Sequence, residues 1–355
     1  MRVRELKLKN YRNIEDALLT PAEGINLIWG ENAQGKTNLL EAVWLFTSCK
    51  SFRGAKDREL VRFDEAEAKL TMWYDARGLT EEAALEIDSR RRAFAGGLPL
   101  PSPTKLMGEF TAVVFSPAHL SLVKNGPTER RRFLDTAICQ VQPAYAAVLR
   151  AYTRALDQRN SLLKDIPYHS ELLDTLDVWD ERLSQAGEKI LQTRQRYVSR
   201  LSQAAQTVYD GLSQGREQLE IRYSSACADR FAESLREARK ADLSAGVSTV
   251  GPHRDDLEIA VGGVSARAFG SQGQQRSAAL AIKMAEGEIL KEVTGEYPVL
   301  LLDDVMSELD ASRQDYILNH IENRQVFITC CDPDAIRRAT VGGRFHIVNG
   351  CLRDV

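Results

Sequence analysis

The sequence of 355 residues predicts an α/β fold whose core comes from both ends of the chain, with an inserted α-helical lobe. Two observations support this prediction. Strand and helix patterns alternate near both ends, and apolar residues recur at steps of three or four through the middle. The predicted core comprises residues 1–118 and 214–355, and the predicted helical lobe comprises residues 119–213.

Individual elements follow from apolar patterning. Residues 25–29 form an apolar run that ends at Gly30 and predicts a buried strand, followed by a helix over 39–46. Residues 68–75 and 82–88 are also predicted strands. The run 299–302 is typical of the middle of a parallel sheet, and 325–329 is predicted as its neighbour. The middle helices are predicted to form a helical core rather than a self-standing coiled-coil arm.

Composition limits the function classes. The 47 basic and 50 acidic side chains give a net charge of −3, so any contact with nucleic acid must come from local basic patches. The six cysteines form no C-x-x-C pair, which argues against zinc and favours reduced intracellular thiols. We expect no signal peptide and no membrane span, because the N-terminus alternates charged and apolar residues and long apolar runs are absent. The expected location is the cytoplasm.

One motif predicts a nucleotide site. Residues 30–37 match G-x-x-x-x-G-K-[ST], the phosphate-binding P-loop, between a predicted strand and a predicted helix. Lys36 is expected to reach the β- and γ-phosphates of ATP, and Thr37 to place its hydroxyl on Mg²⁺. The predicted nucleotide-binding residues here are Gly30, Glu31, Asn32, Ala33, Gln34, Gly35, Lys36, Thr37 and Asn38.

Two carboxylates end the apolar strand at 299–302. Asp303 is predicted to hold Mg²⁺ directly or through water, and Asp304 to orient or deprotonate the attacking water. A strand ending in two aspartates can also be a simple turn. Together with the P-loop, the pair predicts ATP hydrolysis, with Lys36 and Asp304 as catalytic residues.

A third motif indicates the class of ATPase. Ser271, Gly273 and Gln274 open a predicted helix in a pattern that resembles the signature motif of ABC-type ATPases. That resemblance implies that Ser271 and the helix N-terminus contact the γ-phosphate held by a second copy, and that 307–310 crosses the interface. The bare pattern also fits a helix cap. The predicted fold is therefore an ABC-type ATPase head, SMC-like and without a long coiled coil.

The sequence departs from the wider ABC pattern at three places. Asp304 stands where many members carry Glu, and Thr329 follows the next strand where transporter ATPases carry His. Thr329 is included among the catalytic residues, because its hydroxyl could contact the γ-phosphate, although it cannot act as a base. The usual Gln of the loop between the lobes is not found in 113–118.

A narrower resemblance extends over nearly the whole chain. The chain resembles the RecF family of bacterial DNA-repair ATPases in several segments, which are 10–13, 50–53, 115–117, 130–135, 158–164, 179–180, 251–257 and 271–276. Arg12 of the first segment is included among the predicted nucleotide-binding residues. The resemblance implies a slow, DNA-stimulated ATPase that dimerises with ATP on duplex DNA or duplex/single-strand junctions. It also implies the partners RecR and RecO and the loading of RecA at single-strand gaps.

Four basic clusters are candidates for DNA contact, although for any single cluster a solvated surface is the commoner explanation. They are Lys50, Arg53, Lys56 and Arg58; Arg90 to Arg92; Arg130 to Arg132; and Arg150, Arg154 and Arg159. The chain shows no helix–turn–helix or zinc-finger pattern. We therefore expect contacts to backbone phosphates with little sequence readout and a steep salt dependence.

Two alternatives stay open at this point. A nucleotide-binding subunit of a transporter fits the P-loop and the signature motif, but lacks the His. A P-loop ATPase coupled to a nuclease would need a second acidic metal cluster. The residues around His253 invite a separate enzymatic site, but a lone His beside carboxylates is more often a structural hydrogen-bonding group.

Overall fold

The computed structural model describes residues 1–120, 122–227, 230–321, 323–332 and 340–354. The strands are β1 (Arg2–Tyr11), β2 (Ile14–Leu19), β3 (Ile25–Trp29), β4 (Ala68–Ala76), β5 (Leu79–Ile87), β6 (Arg91–Ala95), β7 (Leu98–Pro99), β8 (Ala112–Phe115), β9 (Leu219–Ser224), β10 (Asp256–Val261), β11 (Val264–Ser265), β12 (Val299–Asp303), β13 (Val326–Cys330), β14 (Val341–Val348) and β15 (Cys351–Asp354). The α-helices are α1 (Lys36–Leu45), α2 (Pro117–Leu120), α3 (Pro127–Val141), α4 (Tyr145–Asp165), α5 (Leu173–Ser213), α6 (Phe231–Ala245), α7 (Ala266–Phe269), α8 (Gln272–Thr294) and α9 (Ala311–His320). Short 3-10 helices span Asp57–Leu60, Pro103–Leu106, Ser170–Leu172 and Met306–Glu308.

A six-stranded sheet in the order β15-β14-β3-β13-β12-β8 positions the site. All neighbours pair in parallel except the β14–β15 edge hairpin, which is antiparallel. Every residue of β12 and β13 is buried, as expected for strands covered on both faces. The loops that follow β3, β12 and β13 therefore meet at one edge of the sheet. The two strands predicted near 299–302 and 325–329 are confirmed.

A second sheet packs over the opposite side of α1. It is antiparallel, in the order β2-β1-β4-β5-β6-β7, and it confirms the strands predicted near 68–75 and 82–88. Eight residues of the ten-residue helix α1 are buried, including Trp44 and Leu45. A helix that is buried nearly all round lies inside a core, and α1 shares one apolar cluster with β1, β4 and β14.

The middle of the chain is helical, as predicted. The 41-residue helix α5 packs against α4, α6 and α8, and also against β9 of a three-stranded antiparallel sheet in the order β11-β10-β9. The prediction of a packed helical core is therefore confirmed. The boundaries at 118/119 and 213/214 stay a prediction. Among the described residues, no helix has the length and apolarity that crossing a membrane requires.

Buried ion pairs tie these helices together. Arg159 of α4 is completely buried, and it donates to Asp180 of α5 at 2.5 Å and to Asp242 of α6 at 2.6 Å. Arg194 of α5 donates to Asp135 of α3 at 2.9 Å. Charges removed from water require such partners, so these pairs fix how the helices pack.

Candidate nucleotide-binding site

The loop after β3 has the backbone conformation of a phosphate-binding loop. Gly30 and Gly35 have φ values of +154° and +117°, and Ala33 between them has φ of +64°. A Cβ atom on Gly30 would lie 2.4 Å from the carbonyl oxygen of Ile347, and one on Gly35 would lie 2.9 Å from Oδ1 of Asn13. Both positions therefore require glycine, because of the backbone angle and because of the close neighbours.

Lys36 begins α1, and its side chain turns back into this loop. Its Nζ donates to the carbonyl oxygens of Gly30 at 2.6 Å and Glu31 at 2.9 Å, and lies 3.5 Å from Sγ of Cys331. The side chain is buried, so its charge is held close to the backbone of the loop. The N-terminus of α1 adds partial positive charge at the same place, and the two together can hold the phosphates of a nucleotide.

Four residues from α1, β12, β13 and the turn after β12 form a cluster beside this lysine. Thr37 donates its hydroxyl to Oδ1 of Asp303 at 2.8 Å, and Thr329 donates to the same oxygen at 3.0 Å. The Thr329 oxygen accepts from the backbone N–H of Asp304 at 2.9 Å. Thr329 is completely buried, so its hydroxyl faces the two aspartates. In this geometry the Thr329 hydroxyl contacts Asp303 and the backbone of Asp304. The contact with the γ-phosphate that the sequence suggested stays a prediction.

The charges of this cluster suit a cation. Burial raises the pKa of the Asp303 carboxyl, and the neighbouring Asp304 adds to this effect, while hydrogen bonds from Thr37 and Thr329 oppose it. The atoms of this cluster that could coordinate a metal are all oxygens, which Mg²⁺ prefers as ligands. Within the described part of the chain no cluster of three or more His, Cys, Asp or Glu residues could hold a metal. A P-loop Mg²⁺ takes few protein ligands beside phosphate and water oxygens, so Thr37 and Asp303 fit this group.

Asp304 has a distinct backbone conformation. Its φ of +51° lies in the left-handed region, which aspartate tolerates better than most residues. Ser307 donates its hydroxyl to the Asp304 backbone oxygen at 2.9 Å. The Asp304 side chain is half-buried, so its carboxylate is held at the rim of the site where water can reach it.

Three side chains, those of Asn13, Asn38 and Arg53, form a relay of hydrogen bonds along the outer side of the P-loop. The sequence interpretation included Asn38 among the nucleotide-site residues but missed Asn13 and Arg53. Asn13 donates to the carbonyl oxygen of Gln34 at 2.9 Å, and Asn38 donates to Oδ1 of Asn13 at 2.8 Å. Arg53 donates from Nη1 to Oδ1 of Asn38 at 2.8 Å. Asn13 and Arg53 stand in segments 10–13 and 50–53, which carried the family resemblance. The sequence indicated no role of its own for Asn13 and suggested only DNA contact for Arg53.

Arg12 lies in the turn after β1, beside Asn13. Its guanidinium donates to Oε2 of Glu41 at 2.9 and 3.0 Å and to the carbonyl oxygen of Glu59 at 3.0 Å. Glu41 is completely buried in α1 and also accepts from Tyr11 and Ser51. The predicted nucleotide ligand Arg12 is thus held on the helix that carries Lys36 and Thr37.

The C-terminal hairpin holds the P-loop from outside. The backbone N–H groups of Asn349 and Gly350 donate to Gln34, at 2.5 Å to its side-chain oxygen and 3.0 Å to its carbonyl oxygen. On the same hairpin, His346 stacks on Trp29 with ring centroids 3.8 Å apart. The sequence contained no signal for this support, because the two segments lie more than 300 residues apart.

The predicted signature motif is a capped helix N-terminus that is open to solvent. Ser271 accepts from the backbone N–H of Gln274 at 3.2 Å, and Gln274 accepts in return from the Ser271 N–H at 2.8 Å. This is a capping box at the start of the 23-residue helix α8. The capping bond uses a lone pair of the Ser271 oxygen, so the hydroxyl proton can still be donated. The cap and an exposed anion-binding helix end therefore coexist.

Neighbouring bonds fix this end of α8. Gln274 donates to Glu217 at 2.7 Å, and Arg313 donates to the carbonyl oxygen of Gly273 at 3.1 Å. Arg276 donates to the carbonyl oxygen of Glu308 at 2.6 Å. The segment 307–310, predicted to follow the second acidic motif, is thus joined to the signature helix.

Two of the basic clusters considered for DNA contact are largely engaged within the protein. Arg91 pairs with Asp57 at 2.8 Å, and Arg92 donates to Asp88 at 3.0 Å. In the second cluster, Arg130 pairs with both oxygens of Asp256. Arg131 and Arg132 donate to backbone oxygens of Asp255 and Ser51.

Arg159 of the helical cluster is buried, so the prediction of a DNA contact for this residue is wrong. Its charge serves the helix packing described above. The exposed residues of the four clusters are Lys50, Arg53, Lys56, Arg58, Arg90, Arg92, Arg150 and Arg154.

Two further expectations concern the region between the lobes. His253 is half-buried and lies 2.7 Å from the Tyr152 hydroxyl and 3.1 Å from the Ser248 carbonyl oxygen, which confirms a structural hydrogen-bonding role. Burial lowers its pKa. The Gln that the wider ABC pattern has between the lobes is missing after β8, and there the Ser116 hydroxyl lies 2.9 Å from Nδ1 of His119.

Comparisons with known proteins agree with this geometry. Residues 1–91 match the family model described as an AAA ATPase domain. The chain is 41% identical to the DNA replication and repair protein RecF of Agathobacter rectalis, across 99% of this chain and 98% of that protein. It superposes on a solved structure of the recombination mediator protein RecF-ATP in the RecFOR pathway with a TM-score of 0.92. That pair is 36% identical and covers 100% of this chain and 97% of the other.

A more distant similarity concerns the fold alone. An Smc head domain with an extended coiled coil from Pyrococcus furiosus matches with a TM-score of 0.57 at 15% identity, across 100% of this chain and 96% of that one. The predicted SMC-like ATPase head is therefore confirmed as the fold class. The near-full-length identity goes further than the fold, and it shows that the chain belongs to the RecF family.

Proposed function

We propose that this chain is a DNA-repair ATPase that binds ATP with Mg²⁺ and hydrolyses it in a site completed by a second copy. The observation that carries this proposal is the cluster of Thr37, Asp303, Thr329 and Asp304 beside Lys36. A structural turn would not need two threonine hydroxyls aimed at one buried carboxylate. The RecF relatives, one of which was solved with ATP, support the same conclusion.

The roles follow from position. The P-loop backbone and Lys36 bind the phosphates, and Thr37 with Asp303 would hold Mg²⁺, which supplies neutralisation of phosphate charge when bound. Asp304 orients the attacking water or accepts its proton, since its carboxylate lies at the rim of the site. Thr329 is a positioning residue that fixes both aspartates.

A second copy is proposed because the N-terminal end of α8, which carries the signature motif, is held by different residues from those that hold the P-loop. Ser271 and Gly273 are held by Gln274 and Arg313, while the P-loop is held by β3, β12 and the C-terminal hairpin. An exposed helix N-terminus with a donatable hydroxyl suits a phosphate presented by another protomer. ATP would therefore join two copies.

The DNA contacts are assigned to the exposed basic residues, which bind backbone phosphates without sequence readout. Duplex DNA and duplex/single-strand junctions are the proposed ligands, with slow ATP turnover that DNA stimulates. Partnership with RecR and RecO is supported by the relative solved as part of the RecFOR pathway. Help in loading RecA is proposed from the family resemblance. The six cysteines are all free thiols, which suits the reducing cytoplasm.

The testing experiment uses Asp304→Asn with wild type as the reference. We expect ATP binding with Mg²⁺ to persist and phosphate release to fall about a hundredfold, because the general base or water-orienting group is lost. The nucleotide-bound dimer should accumulate in size-exclusion chromatography. Unchanged phosphate release in Asp304→Asn would remove Asp304 from the proposed site. If the wild-type protein bound no nucleotide, the proposed function itself would be overturned.

A further inference from the structure

Gln274 uses both ends of its side-chain amide at the start of α8. Its oxygen accepts from the backbone N–H of Ser271 at 2.8 Å and completes the capping box. Its nitrogen donates to Oε1 of Glu217 at 2.7 Å, and Glu217 lies 57 residues earlier, in the turn between α5 and β9. The capping box at the signature end of α8 is therefore held by a carboxylate from another part of the chain.

Glu217 is itself fixed to the end of α5. Its Oε2 accepts from the hydroxyl of Tyr209 at 3.0 Å, and Tyr209 is buried. Burial and the hydrogen bond to Glu217 raise the pKa of Tyr209, so the phenol keeps its proton and is the donor. The turn is held again where the backbone N–H of Leu219 donates to the side-chain oxygen of Gln206 at 2.6 Å. Both oxygens of Glu217 are thus occupied, and these bonds fix the orientation of the carboxylate.

The same end of α5 contacts the other support of the signature motif. Arg313 of α9 donates to the carbonyl oxygen of Gly273 at 3.1 Å. One turn further along α9, Tyr316 packs on Gly211 of α5, where an added Cβ would lie 2.5 Å from the tyrosine ring. The start of α8 is therefore held from two sides, by Glu217 and by α9, and both contact the C-terminal end of α5.

Glu217 acts as a hydrogen-bond acceptor rather than as an ion-pair partner. Within the described part of the chain, its side chain bonds to Tyr209 and Gln274 and forms no salt bridge. The residue is also partly exposed, so its replacement leaves no buried charge without a partner. A neutral acceptor of the same shape can therefore take its place.

We propose that Glu217 is a positioning residue of the composite site. It holds Gln274 in the capping box, so that Ser271 and the N-terminus of α8 are shaped for the terminal phosphate of the nucleotide bound by a second copy. This inference rests on the proposed function and deepens it. Glu217 contacts no nucleotide itself, and the end of α5 becomes the support of the half-site that the second copy uses.

The experiment compares Glu217→Ala with Glu220→Ala, which removes a nearby carboxylate that pairs with Arg222. The affinity for ATP with Mg²⁺ is measured by titration at a protein concentration that keeps the chain monomeric, and ATP-dependent dimerisation is measured by sedimentation velocity. Glu217→Ala should keep the wild-type affinity for ATP and dimerise roughly ten- to a hundredfold more weakly, because one hydrogen bond is lost in each of two sites. Glu220→Ala should match the wild type in both measurements.

Two further variants separate positioning from a general loss of structure. Glu217→Gln keeps an acceptor for the amide of Gln274, so it should restore dimerisation. The double variant Glu217→Ala/Gln274→Ala should dimerise no more weakly than Gln274→Ala alone, because the two residues act as one unit.

Four results would overturn the inference. They are wild-type dimerisation of Glu217→Ala, a lower ATP affinity in that variant, a Gln variant as weak as the Ala variant, and additive losses in the double variant. A wild type that stays monomeric with ATP would instead remove the proposed composite site, and this inference would fall with it.

Discussion

Replacement of Arg159 by Met tests whether this basic residue serves the fold or the DNA. Its guanidinium is completely buried and donates to Asp180 at 2.5 Å, to Asp242 at 2.6 Å and to the Ser248 hydroxyl at 2.8 Å. Asp242 is also completely buried, so the variant leaves an uncompensated carboxylate inside the protein. Breaking a buried ion pair from one side costs about 3–5 kcal/mol, and we expect a loss of this size in the free energy of unfolding.

The assay is urea unfolding followed by circular dichroism, with Arg154→Ala on the exposed face of the same helix as the matched control. The control should change the free energy of unfolding by less than about 0.5 kcal/mol. The double variant Arg159→Met/Asp242→Leu should recover part of the lost stability, because the completely buried carboxylate is then removed and only Asp180, whose side chain is 13% exposed, stays without its arginine. A loss below about 1 kcal/mol in Arg159→Met would refute the reasoning, as would a fall in DNA affinity without a change in stability.

Two further predictions concern the P-loop and its support, and a third concerns His253. Lys36→Ala should lower ATP affinity at least about a hundredfold in a fluorescent-nucleotide titration, because the buried ammonium supplies charge-assisted bonds to phosphate; normal affinity would remove Lys36 from the site. Gly350→Ala should also weaken ATP binding while the helical region stays folded, since φ is +78° and the new Cβ would lie 2.3 Å from the Asn13 carbonyl oxygen; unchanged affinity would show that the hairpin does not hold the loop. Because burial lowers the pKa of His253 in the folded protein, stability contributed by the neutral ring is lost as the pH falls below about 6.5, the unfolded value. His253→Gln should therefore lose less stability than wild type between pH 7 and 5 in urea unfolding, and parallel losses would contradict this assignment.

Local sequence patterns were sufficient for the parts of the site that lie within one segment. The P-loop, the two aspartates and the helix after Ser271 each follow from a few adjacent residues whose types are dictated by their chemistry. The long helices and buried strands follow from apolar periodicity for the same reason. These features did not depend on knowing which distant segments meet.

Some features of the site could not be predicted from the sequence. Each of them depends on contacts between residues that lie far apart along the chain. Asn349 and Gly350 support the P-loop from the far end of the chain. The Asn-Gly pair is typical of a hairpin turn, but nothing in it indicates which loop the turn contacts. Basic clusters were misleading for a similar reason. Arg130 and its partner Asp256 are 126 residues apart, so only the fold shows that the charge is neutralised internally. A cluster of basic residues in a sequence therefore indicates a DNA-binding surface only when it is known that no acidic residue of the fold pairs with it.

The central claim, a site completed by a second copy, is tested most directly by analytical ultracentrifugation of wild type and Ser271→Arg with Mg²⁺, with and without ATP. The account predicts that the wild type changes from monomer to dimer when ATP is added. It predicts that Ser271→Arg binds ATP but stays monomeric, because the bulky side chain blocks the exposed end of α8. An ATP-dependent dimer of Ser271→Arg, or a wild type that stays monomeric while it hydrolyses ATP, would contradict the composite site.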